Sequence, residues 1–194
     1  MHSLINKTSV VVADPWLRWD AGADPARAVP EAGDWLFPPA VWLDARVRGA
    51  TRTGRNGVWL EPGDDPAALA AEVDRLALIA VHFPSFTDGR GFSTARLLRE
   101  RHGYRGELRA TGPLTRDTLF YLARCGFDTF ELREGEDPVE ALTELSAFDE
   151  VYQAAADRGP LFGRRLQDAR IRAESGSSAE SAMVERARVP GGAR

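Results

Sequence analysis

One cysteine, Cys125, is all the sulfur chemistry the 194-residue chain can offer through thiols. That excludes an internal disulfide framework, a CxxC redox pair and a self-contained thiolate cluster for iron and sulfur. No apolar run approaches the roughly 18 residues of a membrane span, and Met1 to Val12 lacks the pattern of a secretory leader. There is no excess of positive charge: 25 Lys and Arg stand against 29 Asp and Glu, for a net charge of −4. A non-specific nucleic-acid binder or a polybasic membrane binder is therefore not expected. The chain reads as a cytoplasmic protein. A G-x-G-x-x-G fingerprint and a P-loop are both missing, so neither nucleotide motif names a cofactor, and the cofactor stays open. The three histidines are too scattered to suggest a metal site.

The residues that are present fall into three regions. All five tryptophans, Trp16, Trp19, Trp35, Trp42 and Trp59, lie in the first third of the chain, four of them within residues 1–56, which are broken by Pro15, Pro25, Pro30, Pro38 and Pro39. This reads as an irregular, Trp-rich cover segment with short strands such as Val41 to Val47. Residues 57–156 alternate short apolar runs with helical patterns: strands at Gly57–Glu61, Leu78–Phe83, Glu107–Thr111 and Thr129–Arg133, each followed by a helix. Asp65-Pro66 and Asp137-Pro138 supply an N-cap followed by proline at the first helical position. Gly103 and Cys125-Gly126 stop the helices before them. Residues 157–194 are rich in Arg, Ser and Gly with few apolar anchors, which predicts a disordered tail.

Four successive strand–helix units predict an α/β fold with a parallel sheet. Right-handed crossovers without reversal put all the helices on one face, giving a half-TIM-barrel shape. Strand alternation sends Val58, Leu60, Ile79, Val81, Phe83, Leu108, Ala110, Phe130 and Leu132 to the helix-covered face. The other face carries Trp59, Glu61, Leu78, Ala80, His82, Glu107, Arg109, Thr111, Thr129, Glu131 and Arg133, with the polar members denser toward the carboxyl ends of the strands. A parallel sheet is normally apolar on both faces. Charges cannot sit there unpaired, so they pair with one another or meet water, a ligand or a partner chain.

The loop after the second of these strands, Phe83-Pro84-Ser85-Phe86-Thr87-Asp88-Gly89-Arg90-Gly91, opens a helix with a guanidinium beside free backbone N–H groups. Asp88, Gly89, Arg90 and Gly91 thus join Arg109, Glu131 and Arg133 as a candidate anion site for a phosphate, sulfate or nucleotide. In it Arg109 and Arg133 bind the anion and Glu131 is their internal counter-charge. The alternatives are a plain turn capped by Asp88 or Thr87, and an Arg–Glu ladder buried under the cover segment or in a homodimer. No catalytic residue is assigned, and no metal is expected. His82 lacks a paired Ser, Cys or metal ligand, and Cys125 sits where a helix dipole disfavours its thiolate.

From Arg75 to Arg133 the chain, RLALIAVHFPSFTDGRGFSTARLLRERHGYRGELRATGPLTRDTLFYLARCGFDTFELR, resembles the bacterial domain-of-unknown-function family 934. The family pattern emphasises Phe83, Pro84, Thr87, Asp88, Gly89, Arg90, Gly91, Arg109, Asp117, Cys125, Gly126 and Phe127. It commonly has an acid where this chain has His82. The resemblance implies an accessory of assimilatory sulfite reduction that acts with sulfite reductase, an oxidoreductase component being one form of that role. It carries no catalytic residue across. An electron-transfer role would need a cofactor, since side chains alone cannot carry hydride or electron pairs.

Overall fold

The computed structural model describes residues 3–20, 29–44 and 51–145. The predicted tail, residues 157–194, and part of the predicted Val41–Val47 strand lie outside them. Eight strands form one sheet: β1 (Leu4–Asn6), β2 (Val10–Val11), β3 (Trp16–Arg18), β4 (Asp34–Phe37), β5 (Asn56–Leu60), β6 (Leu78–His82), β7 (Glu107–Leu114) and β8 (Thr129–Leu132). Their order across the sheet is β2-β1-β8-β7-β6-β5-β4-β3. From β3 to β8 every strand pairs in parallel with the next one along the chain. The β1–β2 hairpin adds on antiparallel at the β8 edge.

This α/β half-barrel is wider than four strand–helix units. The expected cover segment supplies β1 to β4, so it extends the sheet instead of lying over it. Asn6 makes the β1–β2 turn: its Oδ1 accepts from the backbone N–H groups of Thr8 and Ser9 at 2.8 and 2.7 Å. Val41 is helical, in the single turn α1 (Pro39–Trp42) that follows Pro38. After β5 the chain makes two 3-10 turns, Pro66–Leu69 and Val73–Arg75, in place of the predicted continuous helix. The Asp65 cap is present, accepting from the N–H of Ala67 at 2.9 Å. Helices α2 (Arg90–Arg96, continued by a π-helical turn over Leu97–Arg101), α3 (Arg116–Arg124) and α4 (Pro138–Leu145) follow β6, β7 and β8. Asp137 caps α4 through the N–H of Val139 at 2.7 Å.

The sheet must curl. Seven inter-strand gaps would span roughly 34 Å if flat. Yet only residues 12–15 join β2 at one border to β3 at the other. Five Cα steps reach at most roughly 18 Å. Each sheet border is therefore within that distance of the other, and the strap of residues 12–15 bridges them.

The convex face is the main core. Val58, Leu60, Ile79, Val81, Phe83, Leu108, Ala110, Phe130 and Leu132 pack with Leu69, Ala95, Leu98, Leu119 and Leu122 from the turns and helices. Every apolar residue predicted for that face is in it. In α4 Val139 is exposed, while Ala141 is buried. A smaller apolar cluster, Trp16, Leu36, Leu78 and Ala80 with Trp59 against it, lies on the concave side. Near the end of β7 the register slips between Ala110 and Leu114. Gly112 sits in that irregularity at φ +116°, where an added Cβ would be 2.0 Å from the Phe83 carbonyl oxygen.

Candidate functional site

The concave face is where the charged residues of the strands meet. Register sets them in rows across the sheet. Ala80 pairs with Arg109, Arg109 with Thr129, His82 with Thr111 and Glu131 with Leu4. The sheet's curl turns these rows inward, and a cleft of about 370 Å³ forms between them. Trp16, Trp59 and Leu36 make its apolar wall, and Leu4 closes the far side. Asp14, Arg18, Arg109, Thr111 and Glu131 bring the polar groups.

Arg109 is the best-anchored of these. Its side chain is 7% exposed, and it donates to two carboxylates. Nη1 and Nη2 reach Asp14 at 2.6 and 3.2 Å, while Nη2 and Nε reach Glu107 at 3.0 and 3.3 Å. Glu107 also accepts from the Thr129 hydroxyl at 2.7 Å. A buried guanidinium needs such bidentate partners, because losing one leaves a charge in a poorly solvated place. Glu131 is thus not the counter-charge of Arg109. That role belongs to Glu107, two residues away on the same strand, and to Asp14 in the strap. Asp14 also accepts from the N–H of Trp16 at 3.4 Å, the same Asp-Pro-x geometry that caps the 3-10 turn at Asp65 and α4 at Asp137.

A second cluster stands at the carboxyl end of β5. The Arg18 guanidinium lies 3.8 Å from the Trp59 ring centroid and pairs with Glu61 at 3.1 Å. The indole N–H of Trp59 donates to the same carboxylate at 2.8 Å. His82 stacks on Trp59 at 5.3 Å, and its buried Nδ1 meets no hydrogen-bond partner among the described residues. Beside Trp16, Arg55 rests 4.9 Å from the ring and pairs with Asp34 at 2.6 Å. The Arg55 hydrogen bonds hold the Asp34 carboxyl below its usual range, and Asp34 in turn raises Arg55.

Of the seven residues read as an anion site, Arg109 and Glu131 line the cleft and the other five do not. Arg133 lies beyond the end of β8, exposed, and pairs with Glu136 at 2.9 Å. Asp88, Gly89, Arg90 and Gly91 stand at the start of α2. There Asp88 accepts from the backbone N–H of Arg90 at 3.1 Å and from its guanidinium at 2.5 Å. Those hydrogen bonds bring the Asp88 carboxyl down to about 2. Gly91 is required by packing: an added Cβ would lie 2.4 Å from the Phe83 ring, while Gly89 faces open space. Sequence reading missed Asp14, Arg18 and Trp16 as contributors. The Asp-Pro pair at residues 14–15 was the available signal. Among the described residues no three His, Cys, Asp or Glu side chains are grouped to hold a metal ion, and no helix is long and apolar enough to cross a membrane.

In comparison with known families, the chain matches the family described as "Bacterial protein of unknown function (DUF934)" over residues 57–162. That is more than half of the chain, beginning within β5 and running through β8 and α4. No curated protein matches.

Proposed function

The chain belongs to the bacterial DUF934 family, and from that premise we propose that it serves assimilatory sulfite reduction as an accessory that works by contact with sulfite reductase. The resemblance over residues 75–133 supports the pathway. The observation that favours contact over capture of a small anion is the state of the guanidiniums. Arg90, Arg109 and Arg133 each already face a carboxylate. An anionic ligand would have to displace Asp88, Asp14, Glu107 or Glu136 before it gained a charge partner, and that exchange yields little net energy.

Two measurements test the reading. A tagged full-length chain, drawn from cells assimilating sulfate, is expected to recover sulfite reductase. A deletion strain is expected to grow poorly on sulfate and normally on reduced sulfur. If no reductase is recovered and growth on sulfate is normal, the reading fails. The alternative is an enzyme or binding protein that holds a phosphate, sulfate or nucleotide at the strand carboxyl ends. It is separated by thermal unfolding with sulfate, sulfite, adenosine phosphosulfate, NADPH or FMN. A true ligand at 100 times its Kd adds about 2.7 kcal/mol. No shift with any of them leaves the contact role standing.

A further inference from the structure

The strap of residues 12–15 is thinly held. All four residues are exposed, Val12 at 97%. The hairpin ladder ends with Val11 opposite Leu4, and pairing to β4 begins with Trp16 opposite Asp34. Between those anchors the strap makes no backbone hydrogen bond to the sheet among the described residues. Backbone that is exposed and outside the ladder belongs to the part of a fold that opens at low cost. By contrast β7, which carries Arg109, is paired on both sides by β6 and β8 and backed by the core.

One side chain ties the strap down. Asp14 reaches the Arg109 guanidinium at 2.6 and 3.2 Å, and otherwise accepts only from the N–H of Trp16 at 3.4 Å. Of the strap, Asp14 alone lines the cleft, where its carboxylate lies against a guanidinium side chain only 7% exposed. The Asp14 side chain itself is 33% exposed. An ion pair so placed is modest in strength and weakened by salt. It suffices to hold four residues in place and is too weak to hold the sheet together.

We propose that residues 12–15 are a movable strap at the cleft, latched shut by the Asp14–Arg109 pair. Releasing the latch lets the segment bow outward between Val11 and Trp16, and the cleft opens while the eight strands stay paired. The assignment rests on the contacts of the strap, not on the sulfite reductase reading, and either can fail without the other.

The test is thiol labelling of the full chain. Thr111 lines the cleft and is 1% exposed. Thr111→Cys in a Cys125→Ser background therefore puts the sole thiol in the cleft wall. This parent is treated with N-ethylmaleimide, an uncharged reagent, at neutral pH in low and high salt. Unfolding curves give the global stability of the parent and of each variant built on it. The parent reacts slowly, and faster as salt rises. Asp14→Ala reacts about fivefold faster at low salt, as loss of an ion pair of this strength requires, and no longer responds to salt. Val12→Ala, in the same strap but facing solvent, reacts like the parent. If Asp14→Ala and the parent react alike, if salt leaves the parent unchanged, if Val12→Ala accelerates the reaction as much, or if every rate follows global stability alone, the proposal is wrong.

Discussion

Phe130 and Glu131 are adjacent in β8 but sit in different media. Phe130 is fully buried among the side chains of the convex core. Glu131 turns the other way, into a cleft whose order comes from ion pairs and indole contacts. The same alternation runs through β6 and β7, where Ile79 and Leu108 face the core while His82 and Arg109 face inward. The convex side is held by area removed from water, which is large and insensitive to salt or pH. The concave side is held by a few directional pairs, which contribute less and respond to both. A helix layer on one face thus lets the other keep charged groups that a sheet buried on both sides would exclude.

Five substitutions would break or sharpen that contrast. The largest effect is expected on the convex side: Phe130→Ala should cost about 3–5 kcal/mol in denaturant unfolding, with no dependence on salt. On the concave side Arg109→Met should cost about 1–2 kcal/mol, because Asp14 and Glu107 lose their partner but keep some contact with water. A double-mutant cycle with Asp14→Asn should give a coupling of about 1 kcal/mol that shrinks in high salt. Equal losses at the two sites, or a salt-independent coupling, would erase the distinction.

Tyr104 probes the join between the faces. It packs in the core, and its hydroxyl donates to the Glu107 carbonyl at 3.0 Å. Burial raises its phenol above the ordinary value of 10.0. The folded state therefore binds a proton that the unfolded chain gives up. Its contribution is complete below pH 10 and falls as pH rises above it. Tyr104→Phe should flatten the alkaline slope of stability measured by denaturant titration. The smallest effect is expected at Asp88→Asn. This pair with Arg90 is local and exposed, so the melting temperature at neutral pH should not change.

Period-two alternation made the convex face readable, since one misplaced polar residue among Val58, Ile79, Leu108 or Phe130 would have broken the pattern. The Asp65 and Asp137 caps were readable for a similar reason: the chemistry is complete within three residues. What alternation could not supply was β1 to β4. Each has four residues or fewer, and Trp16-Leu17-Arg18 is too short for a period to appear. Their strand identity comes from pairing partners far along the chain. The same holds for the site. Arg109 and Glu131 were legible as charges on a sheet face, but Asp14 reaches Arg109 from 95 residues away. No local pattern carries such a contact. The glycines at 89 and 91 looked like a ligand cradle because spacing cannot tell a close approach of ligand from a close approach of Phe83.

The strap at residues 12–15 has a consequence for how the protein can be trimmed. Because β1 and β2 shield β8, a version starting at residue 12 would leave β8 as an uncovered border with unpaired backbone groups. Such a border invites strand addition from a neighbouring molecule, so that shortened protein should clump during expression while the full-length form stays dispersed. Residues 4–11 would then guard against self-association, a task unrelated to any ligand.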